Sequence, residues 1–469
     1  MSILTTSKSP NRMLTVRERA IYAALSIVTH QNLMRSSQSV RTRAYWSEPQ
    51  LETFQLERLK TVLLHAGKHV PYYRDAFKDA GFCPNEVISA DDLQHMPILT
   101  RDILRCEFKR IRDPNAPLSD LTPISTGGTT GQPVKILLDR HNAVERMLVN
   151  HRMYSLMGRT LGEPTLMIAG SPIDYQTWTS SRDRLKHILF NEVIRPSFNL
   201  NRKTIPLILG ELSSGKYRYV IAYASVFDIL ATYVEQMNQR VTLPVILPCA
   251  ELVTEAQRSR WLETLHVQSI FEIYGSREMT SIAGEVPDHV GLAINEDIYC
   301  VEITDTAGHC VPTGHPGLIT ITSLMERRFP LIRYQLGDIA VKLPRVLGSP
   351  FPFARLKMTH GRVLDQILCP YGKLLPGEFF PHLFKEVSTQ VARFQVVQTQ
   401  PLELVVKIIA QSGYSEKTTA YLRQKIADQV GHQMTIKFEF VDAIETSASG
   451  KFRPTVNRIP NLADLVKWN

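Results

Sequence analysis

Ser125-Thr126-Gly127-Gly128-Thr129-Thr130-Gly131-Gln132-Pro133 is the stretch on which the reading of this 469-residue chain turns. It packs three glycines and three threonines into nine residues, directly after the apolar run Leu121 to Ile124. Glycine lets backbone N–H groups approach a bulky anion, and threonine adds hydroxyl donors. Such a loop can wrap around the phosphates of a nucleotide, although a Gly/Thr turn with no ligand has the same composition. The P-loop is excluded by spacing. It closes on Gly-Lys-[Ser/Thr], whereas Gly131 is followed by Gln132 and Pro133.

The composition around this loop is that of an ordinary globular protein, with 43% hydrophobic and 21% charged residues. The length allows two or three domains. Cys83, Cys106, Cys249, Cys300, Cys310 and Cys369 are scattered, with no CxxC or clustered Cys/His spacing. This excludes a disulfide framework and a structural zinc site, and predicts a reducing, cytoplasmic compartment. No apolar run approaches the length of a membrane span. Residues 1–50 hold seven basic side chains against Glu18 and Glu48, and so carry +5 of the net charge of +9. The body of the chain is therefore only mildly basic, and nucleic acid is not an expected partner.

Thr15 and Glu18 have capping-box spacing, and Leu14, Ile21, Leu25 and Val28 follow at helical spacing. A helix over about 16–34 is expected, packed on the protein's own surface. The alternative is an interfacial helix whose basic residues make weak contact with an anionic membrane surface. Residues 50–115 read as mainly helical, with Leu56, Leu59, Val62 and Leu63 marking one helix that ends before Pro71. The aromatic residues of Pro71-Tyr72-Tyr73-Arg74 are expected in the core.

From Ile124 onward strands alternate with helices. Strands are expected at Val134 to Leu138, Leu166 to Ala169, Tyr219 to Ala222, Val245 to Leu247 and Ile270 to Ile273. Between them Val144, Met147, Leu148, His151 and Tyr154 mark one helix face. Val226, Ile229, Leu230, Tyr233, Val234 and Met237 mark another, on a helix opened by Ser225 with Asp228 three residues on. This alternation predicts an α/β fold with a largely parallel, buried sheet, and ligands beyond the carboxyl ends of its strands, where Tyr274 falls. Residues 298–304 and 318–324 predict a β-rich subdomain. Beyond Gly361, the alternation of Leu402, Leu404, Val406 and Ile408, a helix over about 416–430, and Ile436, Phe438 and Phe440 predict a small α+β domain. The expected regions are 1–49, a basic extension; 50–360, the large domain; and 361–469, the small one.

Four further motifs follow the glycine loop: Tyr274-Gly275-Ser276-Arg277-Glu278, Arg333-Tyr334-Gln335-Leu336-Gly337-Asp338, Gly361-Arg362 with Asp365, and Ser449-Gly450-Lys451. Together, in this order, they resemble the adenylate-forming (AMP-forming) ligases. Within these the chain looks most like the phenylacetate–CoA ligase branch. It is most similar there to relatives associated with capsular polysaccharide or exopolysaccharide biosynthesis, whose loop also reads Thr-Gly-Gly-[Ser/Thr]-Thr-Gly-x-Pro. The resemblance covers roughly residues 55 to 455 and implies a large N-terminal adenylate-forming domain with a small, mobile C-terminal lid.

The resemblance implies an ATP-dependent acid–thiol ligase. A small carboxylic acid would attack the α-phosphate of ATP, giving acyl-AMP and pyrophosphate, and the acyl group would then pass to coenzyme A. Alternatives are transfer to a carrier protein, an amine or a sugar in surface-polysaccharide synthesis, or a degenerate nucleotide-binding assembly partner. By resemblance, Thr126, Gly128, Thr129, Thr130 and Gly131 would cradle the β- and γ-phosphates, with Thr130 also catalytic. Tyr274, with Gly275, Ser276 and Arg277, would face the nucleotide, the tyrosine against adenine. Glu278 would be catalytic and help hold Mg²⁺, and Asp338 would accept both ribose hydroxyls. Arg362 would reach the ribose or phosphate, and Lys451 would be the catalytic cation. Arg277 stands where the family has threonine, and Leu364 where it has an acidic residue or lysine. Ala293 follows Gly291-Leu292 where the branch often has histidine. The basic N-terminal helix precedes every motif and is expected to be dispensable for adenylation.

Overall fold

Inter-residue contacts divide the chain into two units that interleave along the sequence. One unit comprises Met1–Thr126, Val134–Leu161 and Phe271–Gly361; the other comprises Gly127–Pro133, Gly162–Ile270 and Arg362–Asn469. The computed structural model describes residues 13–125, 134–169, 181–197, 200–305, 307–360, 366–370, 374–377, 379–387, 389–444 and 453–459.

The first unit opens on the expected capping box. Thr15 Oγ1 accepts from the Glu18 amide and the Glu18 carboxylate accepts from the Thr15 amide. The helix it starts, Val16–Thr29, ends earlier than spacing suggests, because His30 takes φ 54° and Asn32 caps a new helix, Leu33–Thr42. Neither helix is an appendage. Leu33 and Val40 are fully buried, Arg43 is 4% exposed, and its guanidinium lies 2.9 Å from Glu145 and 3.1 Å from Asp297. The N-terminal segment is therefore packed on this unit's own elements, as expected, rather than held out as a separate arm.

The helical stretch that follows holds Glu48–His69 and, with Pro71 at its first position, Pro71–Asp79. Leu59, Val62 and Leu63 face the core as their spacing predicts. Tyr73 is also core: its hydroxyl donates to the Pro330 carbonyl at 2.9 Å and accepts from the Ile332 amide at 3.1 Å.

The centre of this unit is a seven-stranded antiparallel sheet. Its order is Tyr299–Thr304, Pro316–Ser323, Tyr334–Leu343, Arg355–His360, Leu292–Ile294, Thr280–Glu285, Ile273–Ser276. The two expected strands of the β-rich subdomain are thus part of a larger sheet. The helix Ala143–Leu156 lies against it. A Cβ at Gly284 would come within 2.6 Å of Met153 Sδ and clash with Met157, so glycine permits this close approach. Of the expected face only Leu148 is fully buried. The buried set is Arg146, Leu148, Val149, Arg152, Met153 and Leu156. Two arginines displace the apolar stripe because each finds a buried carboxylate, Glu326 for Arg146 and Asp297 for Arg152.

The second unit contains the parallel sheet, ordered Glu192–Pro196, Thr165–Ala169, Tyr219–Tyr223, Val245–Cys249. The helix Ala224–Gln236 packs on it, with Val226, Phe227, Ile229, Leu230 and Ala231 fully buried. Ser225 and Asp228 do not form the expected box. Ser225 Oγ donates to Glu251 at 2.9 Å, and Asp228 accepts from Trp261 Nε1 at 2.8 Å and Gln257 Nε2 at 2.6 Å. Tertiary partners have outbid the local cap. Burial raises the Asp228 pKa despite these donors. The same unit holds a four-stranded sheet ordered Thr435–Phe440, Glu403–Ala410, Val391–Gln400, Thr455–Asn457, backed by the helix Glu416–Val430. This is the predicted α+β arrangement, with Leu404, Val406 and Ile408 buried and Leu402 at the exposed strand entry. Gln366 Nε2 donates to the Ser225 carbonyl at 2.8 Å, joining this region to the helix on the parallel sheet.

Among the described residues no helix is long and apolar enough to cross a membrane. None of the six cysteines is in a disulfide.

Candidate nucleotide site

Five of the motif residues, Tyr274 to Glu278, lie on one hairpin of the antiparallel sheet. Ile273–Ser276 pairs with Thr280–Glu285, and residues 277–279 make the turn. Gly275 is required there: a Cβ would run into the Thr280 carbonyl oxygen. Ser276 Oγ accepts from the Met279 amide at 3.1 Å, and Thr280 takes φ 62°. This tight turn leaves Arg277 exposed but folds Glu278 inward, where it is 3% exposed. Tyr274 was expected on a loop following the parallel sheet. It sits instead on an antiparallel strand, because Ile270 makes only a single parallel bridge, to Ile246. By Glu272 the backbone is bonded to Glu285.

Asp338 lies on the neighbouring motif strand, Tyr334–Leu343, just after Gly337 at φ 85°. The register to Pro316–Ser323 shifts there, as a bulge re-aims a side chain. The Tyr274 hydroxyl donates to Asp338 Oδ2 at 3.0 Å. Four residues earlier on the same strand, the Tyr334 hydroxyl donates to Glu278 Oε1 at 3.3 Å. Burial, and then the Glu278 carboxylate, push the Tyr334 pKa up, so the hydroxyl stays protonated and remains a donor. The motif arginine, Arg333, is a structural clamp. Its guanidinium bonds Glu302 and the carbonyls of Gln94, Met96 and Gly308.

Three residues that sequence reasoning missed complete this cluster. Arg146 pairs with Glu326 and donates from Nη1 to the Glu278 carbonyl at 3.3 Å. Glu326 in turn accepts from the Asp139 amide at 2.9 Å. Asp139 ends the strand Lys135–Asp139, which pairs antiparallel with Leu121–Ser125. These two strands flank the glycine loop in sequence, so one buried ion pair braces both the Glu278 turn and the strand leaving that loop. The third residue is Arg101. Leu99 is stitched to the motif strand by Leu99 N to Arg333 O and Gln335 N to Leu99 O, both 3.0 Å. Arg101 then donates from Nη2 to the Leu336 carbonyl at 2.8 Å. Burial alone would lower its pKa, but Tyr334 and the carboxylates of Glu278 and Asp338 outweigh it and raise the value. Apolar periodicity carries no signal for such buried arginines.

Thr126, Gly128, Thr129, Thr130, Gly131, Arg362 and Lys451 lie outside the described residues. Among the described residues no group of three or more His, Cys, Asp or Glu side chains could hold a metal ion. A single buried carboxylate such as Glu278 nevertheless fits Mg²⁺, which takes one or two protein carboxylates and completes its shell with water and phosphate oxygens. Near the missing family histidine, His289 Nδ1 lies 2.7 Å from Glu285 and its ring stacks on Phe271.

The chain is similar to known proteins over most of its length. Residues 367–458 match the family described as the CapK C-terminal domain. The chain is 25% identical over 435 residues to phenylacetate-coenzyme A ligase of Aromatoleum evansii, covering 88% of this chain and 96% of that protein. It is 20% identical over 421 residues to Protein CapK of Staphylococcus aureus, covering 86% and 89%. Among solved structures it resembles 2-hydroxyisobutyryl-CoA ligase bound to 2-HIB-AMP and CoA, with a TM-score of 0.60, 17% identity and coverage of 90% and 92%. At that identity the likeness is one of fold.

Proposed function

We propose that this chain, which classes with the adenylate-forming ligases on the branch of the phenylacetate–CoA ligases and CapK, activates a small carboxylic acid with ATP and passes the acyl group to coenzyme A. The observation that carries the reading is the grouping of Tyr274, Glu278 and Asp338 by direct hydrogen bonds and a shared tyrosine–arginine cluster.

In this reading Asp338 accepts the ribose hydroxyls, since a carboxylate suits a cis-diol. Tyr274 lies against adenine, with Gly275, Ser276 and Arg277 beside it. Its hydroxyl, bonded to Asp338, fixes the carboxylate before the nucleotide arrives. Thr126, Gly128, Thr129, Thr130 and Gly131 cradle the β- and γ-phosphates, and Arg362 reaches the ribose or phosphate. Glu278 is the residue that would hold Mg²⁺, whose chemistry is to neutralise charge on the phosphates as pyrophosphate departs. Lys451 supplies a cation at the reacting carboxylate and α-phosphate. Six cysteines outside any disulfide fit a reducing, cytoplasmic compartment. The CapK match over 367–458, with the resemblance to capsule-associated relatives, favours a second acceptor class: a carrier-protein thiol, an amine or a sugar hydroxyl.

The test is carboxylate-dependent ATP–pyrophosphate exchange across a panel of acids, followed by thioester detection with coenzyme A. Exchange without thioester would move the acceptor to the second class. No exchange with any acid would overturn the ligase reading.

Within this site Asp338→Ala is expected to weaken ATP binding about tenfold or more, because hydrogen bonds to charged groups contribute roughly 1.5–3 kcal/mol. Tyr274→Phe, which removes the bond to Asp338 but keeps the ring, should lose less. Titration calorimetry with ATP reads both. Unchanged affinity in a folded Asp338→Ala variant would remove the assignment.

A further inference from the structure

We propose that Arg101 is a nucleotide-site residue: it holds Glu278 and Asp338 in place from a third element and presents its remaining donor to an oxygen of the bound nucleotide. The inference rests on the ATP-binding reading of this site.

The backbone argues for placement. Leu99 forms a parallel bridge with Tyr334, and Thr100 caps the short helix Arg101–Cys106 by accepting from the Ile103 amide. Arg101 is thus the first residue of a capped turn that is bonded to the motif strand on both sides of Tyr334. Its bond to the Leu336 carbonyl sets the guanidinium two residues from Asp338. Glu278 reaches the same place through the Tyr334 hydroxyl. Glu278 from the hairpin, with Tyr334 and Asp338 from the motif strand, therefore lie around one cation.

Two comparisons within the unit separate Arg101 from an ordinary structural arginine. The other buried arginines nearby are committed elsewhere, Arg146 to Glu326 and Arg333 to Glu302. Arg333 is also saturated, spending Nε, Nη1 and Nη2 on a carboxylate and three carbonyls. Arg101 is not: its Nε is buried and, among the described residues, has no hydrogen-bond partner, and where Arg43, Arg58, Arg152 and Arg355 also leave one nitrogen unbonded but are ion-paired, Arg101 has no ion-pair partner among the described residues. A buried guanidinium N–H without an acceptor is costly, and native structures keep such groups where a ligand or water completes them. An acceptor-rich, anionic nucleotide is that ligand here. A cation beside Asp338 and Glu278 also lets an anion approach two carboxylates that would otherwise repel it.

The experiment titrates the full-length protein with MgATP and compares wild type, Arg101→Gln and Arg101→Lys, with the melting temperature measured on each. Arg101→Gln is expected to weaken MgATP binding about tenfold or more while melting close to wild type, and Arg101→Lys to recover part of the loss because it restores the charge without the planar fork. Combining Arg101→Gln with Asp338→Asn should lose less than the product of the two single losses, the signature of residues acting through each other. Wild-type affinity in Arg101→Gln overturns the inference. So does a loss that tracks a fallen melting temperature and that lysine does not recover, since this marks a purely structural staple. If wild type itself fails to bind MgATP, the ATP reading of the whole site falls, and this inference with it.

Discussion

Asp297→Ala is expected to destabilise the protein by about 3–5 kcal/mol, the cost of removing one partner from a buried ion pair. Asp297 is fully buried and accepts from Arg152 Nη1 at 2.8 Å and Nη2 at 2.7 Å, with Arg43 Nη1 3.1 Å away. The Arg152 guanidinium also bonds Asn295 Oδ1 and the Val40 carbonyl. The carboxylate therefore joins the N-terminal helices, the Ala143–Leu156 helix and the loop before Tyr299–Thr304. Without it two buried guanidiniums face each other with only partial compensation from Glu145 and the carbonyls. Asp297→Asn, which keeps an acceptor but not the charge, should fall between wild type and alanine. Burial would raise the Asp297 pKa, but Arg152, then Arg43 and Arg58, hold it below the usual carboxylate range. The sign of the pH dependence follows. A depressed folded value adds stability above the unfolded pKa of about 3.9, and that stability is lost as pH falls through the folded value. The gap between wild type and Asp297→Ala should thus persist at neutral pH and close only in strong acid. Urea unfolding across pH measures this. A difference under about 1 kcal/mol at pH 7 would mean the pair is no better than an exposed one.

The same residues explain what was legible in the sequence. Where apolar periodicity alone decides an element, the reading is accurate: Glu416–Val430 falls where spacing puts a helix, and Val245–Cys249 where it puts a strand. The α/β character and the small C-terminal α+β region follow from such runs. The motifs Tyr274 to Glu278 and Arg333 to Asp338 mark the candidate site because their residue types carry chemistry in a fixed order. Three kinds of information were hidden. Buried ions were one, since apolar spacing gives no signal for Arg146 and Arg152, whose partners Glu326 and Asp297 arrive from 180 and 145 residues away in sequence. Local signals that lose to tertiary partners were another, as with Ser225 and Asp228, which bond Glu251, Gln257 and Trp261. The third was sheet membership. Ile270 to Ile273 reads as one strand, yet Ile270 bridges the parallel sheet while Ile273 starts the antiparallel one, and no composition rule marks a chain that changes sheets in three residues. Arg101 combines the first and third, being a charged residue in a helical stretch that lands on a distant motif strand.

Lys451→Ala is expected to cut acyl-adenylate formation by about 10²–10³, the loss typical of one preorganised electrostatic donor, or roughly 3–4 kcal/mol. Lys451 lies outside the described residues, but the chain just after it is firmly held. Gln395 Nε2 donates to the Arg453 carbonyl at 2.9 Å, Val396 N to the Pro454 carbonyl at 2.8 Å, and Thr455–Asn457 pairs parallel with Val391–Gln400. Thr455 Oγ1 further donates to the Gly377 carbonyl at 3.0 Å. In sequence, Lys451 stands two residues before this anchored segment. Under the proposed function its chemical task would be confined to the first half-reaction, where a carboxylate and a phosphate of like charge must meet. Once acyl-AMP exists, thiol attack on a neutral acyl carbon has no such need. Transfer from presynthesised acyl adenylate should accordingly suffer much less than adenylation, and ATP affinity should change little because the contacts at Asp338 and Tyr274 remain. Lys451→Arg, which keeps the charge but not its point-like shape, should retain more adenylation than alanine and less than wild type. Assaying the two half-reactions separately decides the matter. An equal loss in both would reduce Lys451 to a structural or general electrostatic role. No loss in either would put the catalytic centre elsewhere and favour a chain that binds nucleotide without activating an acid.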